Sequence, residues 1–369
     1  MGWRMLRLFP LLLLAGALPA GTTDDPKTKA PAAAARDVPD ATREATARAM
    51  AWILSAQNRD GSWGLDAQSG SDISCTVVAA LAIMANGTTE RGGLDPRRVQ
   101  AVRRGLDYIM RQARGMKGDI ARGDVTLIQN KLGHHVHTFF ATVLLTQIYG
   151  MRGTWISRSE AEELRDAISQ LTERIVKTQG PDGSWHKETF GSLKATCMAW
   201  LALRSAASAG FDVENASVRR TIQFIKAQYN PQSKLFDRFT GQGNYQTIYA
   251  TASCLRVLYA MGEGNSQEAT GATEAFMKYV RTGQMGAAFL TVEGEDYMSA
   301  AVFTHALLAV EADKRWTAWF PWITGELLKR QNKDGTWTST ACITGRTFAT
   351  AFALLTLQSP YRLLPILEQ

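Results

Sequence analysis

The chain has 369 residues, of which 45% are hydrophobic and 20% charged, with a formal net charge of +7 and four cysteines. This length and composition are typical of a globular protein with one large core. The basic residues are spread along the chain and the cysteines show no paired spacing, which argues against nucleic-acid binding and against a disulfide framework.

The N-terminus is predicted to be a secretory signal peptide covering residues 1–20. Arg4 and Arg7 precede an apolar run over 8–18, and small residues suited to cleavage follow, up to Ala20. No later segment approaches about twenty uninterrupted apolar residues, so no transmembrane segment is expected in the mature chain. Residues 21–45 are rich in Ala, Pro, Thr and charge, which is typical of a flexible linker. The sequence therefore predicts an exported protein, periplasmic or extracellular, whose net charge falls from +7 to +5 (7 − 2) when both arginines are removed.

From residue 46 onward the sequence predicts helical repeats. Six glutamines, each at the end of a helix-like run, recur at intervals of 55, 67, 49, 56 and 47 residues: Gln57, Gln112, Gln179, Gln228, Gln284 and Gln331. Five of them have two apolar residues at the fourth and third positions before the glutamine, which indicates one buried helical face. Three continue into a turn, Gln-x-x-Asp-Gly-Ser/Thr-Trp, that ends at Trp63, Trp185 and Trp337. Asp-Gly favours a tight turn because Gly tolerates positive φ and Asp accepts hydrogen bonds from nearby amides.

A second, more apolar helix follows each turn. The six predicted inner helices cover 75–85, 138–149, 195–206, 251–261, 299–310 and 347–357. Gly87, Gly150, Gly210 and Gly262 are expected to end four of them in the left-handed conformation. No stretch alternates strictly between apolar and polar residues, so no sheet is expected and the fold class is all-α.

The Gln-x-x-x-Gly-Ser/Thr-Trp turn after a Phe/Ile-Leu helix resembles the repeat of the prenyltransferase and squalene cyclase superfamily, to which terpene cyclases belong. The resemblance covers 46–369. It implies an (α/α)6 toroid, in which six inner helices surround a lumen and six outer helices surround the inner ones. The apolar inner helices are consistent with this fold, because a single hairpin cannot cover an inner helix that is apolar nearly all round. The glutamines and tryptophans are interpreted as structural links between helix ends.

Three residues near one mouth of the lumen are candidate zinc ligands: Asp72, Cys75 and His137. Counting back from the glycines places Cys75 and His137 at one level, and Asp72 precedes Cys75 by three residues, on the same face. Asp, Cys and His all bind zinc. Cys197 at the same level and His134, one turn before His137, are additional candidates.

The resemblance supports this site in part. Protein prenyltransferase β subunits carry zinc on an Asp-x-Cys in one hairpin and on a Tyr-His-Thr histidine in the next. Here Asp72-Ile-Ser-Cys75 is followed by Val136-His137-Thr138, so the first spacing is one residue longer and Val136 replaces the aromatic residue. No Arg-Lys cluster precedes Asp72 to hold a diphosphate. A second interpretation stays open, in which Asp72 caps a helix, Cys75 is a buried thiol and His137 is a hydrogen-bonded core histidine.

An acidic run before the fifth inner helix offers a second candidate centre, at Glu295 and Asp296. Class II triterpene cyclases protonate their substrate with an Asp-x-Asp-Asp motif at such a position. The run resembles that motif in charge alone, and no Asp-x-Asp-Asp occurs in the sequence. Acidic residues are also favoured at a helix N-terminus by the helix dipole, so a structural role stays open.

Large side chains of the inner helices are expected to line a ligand cavity in the lumen: Phe139, Trp200, Tyr249, Phe303 and Arg346. Arg256 also lies within an apolar inner helix. Either arginine has two open interpretations, as a partner for an anion in the lumen or as a helix-edge residue that reaches water.

These observations predict an exported toroid that binds an elongated apolar ligand, isoprenoid or lipid, and transforms it if the mouth holds zinc. As an enzyme, a prenyltransferase-like zinc transferase is favoured over a class II terpene cyclase. The first alternative is a non-catalytic binding or assembly module whose protein partner the sequence does not identify. A glycan-cleaving toroid enzyme is the weaker alternative, because no well-placed carboxylate pair is found.

Overall fold

Thirteen α-helices occupy the part of the chain that the structure describes. The structure is a computed structural model and describes residues 39–87, 95–115, 126–151, 156–185, 192–236, 244–282, 289–290, 294–308, 314–338, 344–361 and 363–364. Six outer helices are α1 (Asp40–Ser55), α3 (Pro96–Gly115), α6 (Arg158–Lys177), α8 (Asn215–Ala227), α10 (Gln267–Thr282) and α12 (Lys314–Arg330). Six inner helices are α2 (Ile73–Met84), α5 (Val136–Gly150), α7 (Ser192–Ser208), α9 (Asn244–Ala260), α11 (Glu295–Leu307) and α13 (Gly345–Gln358). A short helix, α4 (Leu127–Leu132), precedes α5, and a 3-10 turn (Ser359–Tyr361) follows α13.

The outer and inner helices differ in how much of their surface is buried. Helix α6 buries Leu164, Ile168, Leu171 and Ile175, whose spacing of three or four residues forms a single stripe. In α2, by contrast, every residue from 73 to 84 is buried. A helix that is apolar all round must be covered on all sides, so the inner helices occupy the centre.

The helices close into a ring. Each inner helix packs against the next in the order α2, α5, α7, α9, α11, α13, and α13 packs back against α2. Each also contacts the outer helices beside it, and α1 packs on α13 across the closure. The predicted (α/α)6 toroid is therefore confirmed. Because every inner helix is followed by an outer helix that returns, all six inner helices begin at the same end of the ring.

The tryptophans of the turns join outer helix, turn and inner helix. The indole Nε1 of Trp63, Trp185 and Trp337 donates to the backbone oxygen of the residue ten positions earlier, at 2.7 to 2.9 Å. Their backbone amides donate to threonine hydroxyls on the following inner helices, at 2.9 to 3.0 Å: Thr76, Thr196 and Thr350. The fourth repeat keeps this bond with another side chain, because the amide of Phe236 donates to Thr251 at 3.1 Å.

The glutamines link neighbouring hairpins. Gln57 Nε2 donates to Gly61 O in its own turn and to Ala101 O of the next outer helix, at 2.9 and 2.8 Å. Gln331 makes the same pair of bonds to Gly335 O and to Ala45 O, and thereby joins the last repeat to the first. These contacts support the structural interpretation of the glutamines, and Gln284 lies outside the described residues.

The structure corrects three expectations. Helix α1 begins at Asp40, so the linker boundary predicted at 45 is too late; Thr42, Ala45, Thr46 and Ala49 are already a buried stripe. Two-residue antiparallel ribbons do occur, between Trp63–Gly64 and Ser71–Asp72 and between Tyr229–Asn230 and Leu235–Phe236.

Among the four glycines expected to end inner helices, Gly87, Gly210 and Gly262 have positive φ, whereas Gly150 is the last residue of α5 and does not. The predicted signal peptide and residues 21–38 lie outside the described residues. None of the described helices combines the length and apolar character that a membrane crossing requires.

Candidate functional site

Asp72 and His137 meet at the N-terminal end of the inner helices. Asp72 precedes α2 and accepts a hydrogen bond from the backbone amide of Cys75 at 2.8 Å, so its role as an N-cap is confirmed. Its other carboxylate oxygen lies 3.3 Å from His137 Nε2, which is also 3.3 Å from the hydroxyl of Thr126. Burial would raise the pKa of Asp72, but hydrogen bonds and charge from His137, Cys75 and Thr126 together lower it. The pair is therefore an ionised aspartate held against a buried histidine.

These contacts do not assemble the predicted zinc ligands. Among the residues that the structure describes, no three His, Cys, Asp or Glu side chains come together to hold a metal ion. Asp72 uses one oxygen for the helix cap and the other against His137, and Cys75 is fully buried. The observed arrangement does not fit a three-ligand zinc site, so no metal-dependent step is derived, and zinc stays a prediction.

The additional candidates Cys197 and His134 have other surroundings. Thr76 and Thr196 occupy equivalent positions in their repeats. Cys75 lies one residue before Thr76, whereas Cys197 lies one residue after Thr196, so the two cysteines do not occupy equivalent positions. Cys197 Sγ lies 3.7 Å from Cys254 Sγ on the next inner helix. The backbone oxygen of His134 accepts a hydrogen bond from Gln129 at 2.8 Å, which ties the loop before α5 to α4.

Glu295, the first residue of α11, forms a buried ion network with two lysines. Lys194 Nζ, near the start of α7, lies 2.7 Å from Oε1, and Lys131 Nζ, on α4, lies 3.1 Å from Oε2. Lys194 also lies 5.4 Å from the ring centre of Tyr249 on α9. The side chains of Glu295 and Lys194 are 1% and 2% exposed, so both charges are removed from water and depend on each other.

This network spans the lumen. In the ring, α5 and α11 are third neighbours and therefore lie on opposite sides. Helix α4 runs between them, because Thr126 at its start contacts His137 of α5 and Lys131 near its end contacts Glu295 of α11. A capping box between Thr126 and Gln129 fixes the start of α4. We call Lys131, Glu295 and Lys194 together the ion bridge.

The ion bridge decides what Glu295 can do chemically. Burial would raise the pKa of Glu295, but the charges and hydrogen bonds of Lys194 and Lys131 outweigh burial and lower it. A proton donor to an alkene must carry its proton at the working pH, whereas this carboxylate is held ionised. Asp296 is likewise engaged, since its Oδ2 accepts from the backbone amide of Leu290 at 2.9 Å. The geometry therefore gives these two candidate residues structural roles.

A cavity of about 740 Å3, including its solvent-open part, occupies the lumen farther along the inner helices. All six inner helices contribute, mostly through apolar side chains such as Leu81, Phe140, Met198, Val257, Met298 and Phe352. A smaller space of about 230 Å3 shares His305 and Leu355 with it and reaches Gln358 and Leu364 beyond α13. The lumen thus continues from the apolar cavity toward the C-terminal ends of the inner helices.

Ser253, Arg256 and His305 are the polar side chains in the cavity lining, and none of the described lining residues is acidic. Burial, together with the charge of Arg204, lowers the pKa of Arg256 to about 10, so it still carries its charge at neutral pH. Burial and the charge of Arg256 lower the pKa of His305 to about 3. Among the described lining residues, Arg256 is therefore a cation and His305 is a neutral imidazole.

The five side chains expected in the lumen are distributed over four environments. Trp200 lines the cavity. Tyr249 lies beside Lys194 at the ion bridge. Phe139 packs edge-on against Trp185, and Phe303 packs against Phe276 and Trp319, so both face the outer layer.

Arg346 also lies away from the cavity. Its guanidinium contacts Asp66 at 2.8 Å and Asp334 at 3.2 Å and lies 5.6 Å from the ring centre of Trp52. These partners belong to two of the Gly-Trp turn regions and to outer helix α1. The side chain therefore links neighbouring repeats instead of facing the lumen.

Sequence reasoning missed Lys131 and Lys194. A signal was present for Lys194, which is the one lysine of its inner helix, at its start and next to mostly apolar and small residues. Its partner Glu295 is 101 residues away, however, so the pair becomes visible only when the ring is closed. Lys131 gave no signal, because a lysine near the end of a short polar segment is ordinary.

Comparison with known proteins shows the fold and no family. No family model matches the sequence, and no match is found among curated proteins. Among solved structures, an inactive variant of an α-1,6-mannanase from Salegentibacter sp., in complex with α-1,6-mannotriose, aligns with a TM-score of 0.62 and 10% identity. The alignment covers 87% of this chain and 99% of the mannanase.

A variant of type II terpene cyclase MstE from Scytonema, in complex with the substrate geranylgeranyl dihydroxybenzoate, aligns with a TM-score of 0.52 and 14% identity over 88% of this chain and 98% of the cyclase. An MstE variant in complex with the product merosterolic acid A gives 0.54 and 16%, over the same shares of the two chains, 88% and 98%. The chain therefore shares the α/α toroid of proteins that act on two different classes of molecule, and its own cavity must distinguish them.

Proposed function

We propose that this toroid binds an elongated apolar ligand, an isoprenoid or another lipid, between its inner helices. The observation that supports this most is the cavity of about 740 Å3, whose lining is apolar apart from Ser253, Arg256 and His305. All six inner helices contribute to this lining, so the space lies between them. The apolar surface of a ligand that contacts this lining would be removed from water, which is the main source of favourable binding free energy.

The chemistry of the lining favours a lipid over a glycan. Sugars need hydrogen-bond partners for their hydroxyl groups, and burying such groups without partners is costly. The mannanase shares the fold, but three polar side chains in this cavity offer few partners for a mannooligosaccharide. MstE shows that a toroid of this architecture holds an elongated apolar molecule, since it was solved with its substrate and with a product.

The proposed role is binding in preference to cyclisation. Glu295 is held as a carboxylate by two lysines, so the residue nearest in position to a cyclase acid lacks the proton that this reaction needs. A zinc-dependent transfer would need Asp72, Cys75 and His137 to rearrange around a metal. We place the binding outside the cytoplasm, on the basis of the signal-peptide pattern in residues 1–20.

The test is displacement of phenylnaphthylamine, a neutral apolar fluorophore, by farnesol, an isoprenoid alcohol. We expect saturable binding in the natural protein and a loss of at least about tenfold in affinity in Ala301→Trp, because the indole would fill the cavity. Ala51→Trp, on the exposed face of α1, is the matched control and should bind normally. Val143→Phe fills the cavity from another helix and serves if Ala301→Trp does not fold.

Two outcomes would contradict the proposal. One is the absence of saturable farnesol binding, and the other is equal binding in the Trp variants at positions 51 and 301. Thermal stabilisation by α-1,6-mannotriose with none by farnesol would move the function to glycans. If farnesol binds as expected, chloroform–methanol extraction and mass spectrometry of the protein purified from its natural source would identify a lipid that is bound in the cell.

A further inference from the structure

Two buried cysteines meet at the contact between neighbouring inner helices. Cys197 on α7 and Cys254 on α9 bring their Sγ atoms to 3.7 Å, and both are free thiols in this structure. Cys254 is fully buried, and Cys197 is 4% exposed and forms part of the cavity lining. Two thiols at this distance are in van der Waals contact, so a disulfide bond of about 2.05 Å needs only a small approach of the two sulfur atoms.

The helical positions of the two cysteines explain why they meet. Thr196 and Thr251 are equivalent, because each hydroxyl accepts a hydrogen bond from the backbone amide at the end of the preceding turn. Cys197 follows its threonine by one residue and Cys254 follows its threonine by three. At about 100° per residue these positions lie on opposite flanks of a helix. Since α7 and α9 are neighbours in the ring, the two flanks face each other. The pair is one repeat apart, 57 residues, which is why the sequence showed no paired spacing.

The surroundings of the pair suit a neutral disulfide better than thiolates. Burial and the neighbouring Cys197 raise the pKa of the Cys254 thiol well above its usual range. A metal site would need thiolates and further ligands, and within the described ranges no third His, Cys, Asp or Glu joins the pair. A disulfide carries no charge and is therefore compatible with this apolar contact between two helices.

We propose that Cys197 and Cys254 form a disulfide bond in the mature protein, which links α7 to α9 beside the cavity. The predicted export of the chain would bring it to a compartment in which disulfides persist. The oxidant is itself a disulfide, either of a small thiol such as glutathione or of a thiol oxidoreductase. Because both thiols are buried in the closed ring, the exchange takes place while the chain folds.

The exchange balances in two steps. One cysteine thiolate attacks the oxidant's disulfide, which gives a mixed disulfide and releases one thiol. The thiolate of the other cysteine attacks the chain sulfur of the mixed disulfide and releases the second thiol. Two S–H groups of the chain are oxidised to one S–S bond, and the two electrons and two protons leave with the oxidant's two sulfur atoms.

The bond would act on both stability and the cavity wall. It closes a loop between residues 57 positions apart, which restricts the unfolded chain and so favours the folded one. Cys197 lies in the cavity lining beside Met198, and Val257 of the same lining follows Cys254 by three residues. The bond would therefore fix the spacing of two of the six helices that surround the cavity, whether or not the cavity holds a ligand.

Peptide mapping of the protein purified from its natural source tests the proposal. N-ethylmaleimide, added at lysis and again in denaturant, blocks free thiols before digestion with trypsin. We expect peptides 195–204 and 239–256, which contain Cys197 and Cys254, to be joined and to separate only after reduction. Cys75→Ala, expressed in the same source, is the matched control and should keep the link, since α2 lies opposite α9 in the ring. N-ethylmaleimide on both cysteines of the pair, or either of them joined to another cysteine, would overturn the proposal.

Thermal unfolding provides a second measurement that a chance contact would not affect. We expect the melting temperature of the natural protein to fall by at least about 3 °C when it is incubated with reductant, because the restriction on the unfolded chain is lost. In Cys197→Ala the reductant should have no such effect, and Cys254→Ser serves if that variant does not fold. A natural protein whose melting temperature is insensitive to reductant, or an equal decrease in Cys197→Ala, would contradict a bond between these two residues.

Discussion

The two ends of the lumen show how the same six inner helices place charge in different ways. At the N-terminal end, Lys131, Glu295 and Lys194 satisfy one another, and helix α4 crosses between opposite sides of the ring. Two turns farther along, Arg256 faces an apolar cavity whose described lining has no acidic residue. The buried charges of the bridge contribute to the structure, whereas the cavity offers a mostly apolar wall. The comparison therefore assigns a structural role to the bridge and leaves the cavity as the site of the binding that we propose.

Breaking the ion bridge should give the largest effect. Glu295→Gln leaves the buried Lys194 without its counter-charge, and we expect the free energy of unfolding to fall by about 3 to 5 kcal/mol in chemical denaturation. Glu326→Gln, which removes partly exposed contacts to Lys329 and Arg330, is the control and should cost at most about 1 kcal/mol. An equal loss of unfolding free energy in both variants would show that the buried ion bridge stabilises the protein no more than a partly exposed ion pair does.

A substitution in one of the Gly-Trp turns should destabilise the whole ring, because each turn joins an outer helix to an inner helix. Gly335 has φ of +90°, and a Cβ there would lie 2.6 Å from the backbone carbon of Arg48. We expect Gly335→Ala to lower the free energy of unfolding by about 2 to 3 kcal/mol. Gly325→Ala, within α12 and with open space around it, should instead raise stability by up to about 1 kcal/mol. Denaturation midpoints of the two variants that move in the same direction would contradict this account of the turn.

The stability contributed by the two ends of the lumen should also change in different pH ranges. His305 has its pKa lowered from 6.5 to about 3 by burial and by Arg256, so the unfolded chain takes up a proton in that window and the folded chain does not. Stability attributable to His305 is therefore lost as pH falls from 6.5, by roughly 1 to 2 kcal/mol at pH 5. The pKa of Glu295 is lowered from 4.5, so its contribution is lost only below that value.

Chemical denaturation at pH 7.5 and pH 5 checks this difference. In His305→Gln the loss of stability between the two pH values should shrink, whereas in Glu295→Gln it should be unchanged. A loss of the same size in His305→Gln and in the natural protein would show that the imidazole is not held neutral.

The smallest effect is expected at Cys75. Removing its buried thiol in Cys75→Ala should cost roughly 1 kcal/mol of unfolding free energy and leave the metal content of the protein unchanged. Elemental analysis of protein purified without chelators checks the second point. Zinc near one equivalent per chain, lost in both Cys75→Ala and His137→Ala, would restore the predicted metal site and overturn the interpretation of Asp72 and His137 as a structural pair.

The repeated turn made the fold predictable from local sequence. Gln, Asp, Gly and Trp each act within one hairpin or on its neighbour, so Gln57 or Trp63 carries its structural meaning in a few surrounding residues. The N-cap role of Asp72 was visible for the same reason, since it concerns the next three residues. Boundaries were less certain, as at Asp40, because composition alone did not separate the linker from a buried stripe of small residues.

The side chains that face the lumen were not predictable in the same way. An inner helix is buried all round, so periodicity does not say which side of it faces the centre. Phe139 and Phe303 turn toward the outer layer, whereas Phe140, one position along, lines the cavity. A shift of one residue rotates a helical side chain by about 100°, and only packing against known neighbours decides it.

The sequence by itself determined the toroid, because each repeat has its own turn, its outer stripe and its wholly apolar inner helix. Tertiary structure alone decided which charges meet. Lys194 and Glu295 come together across 101 residues, and Arg256 faces a cavity, only after all six hairpins have closed the ring. The physical reason is the range of the interactions: turns and helices form from neighbours in sequence, whereas burial and charge pairing in the lumen depend on helices that are distant in the chain.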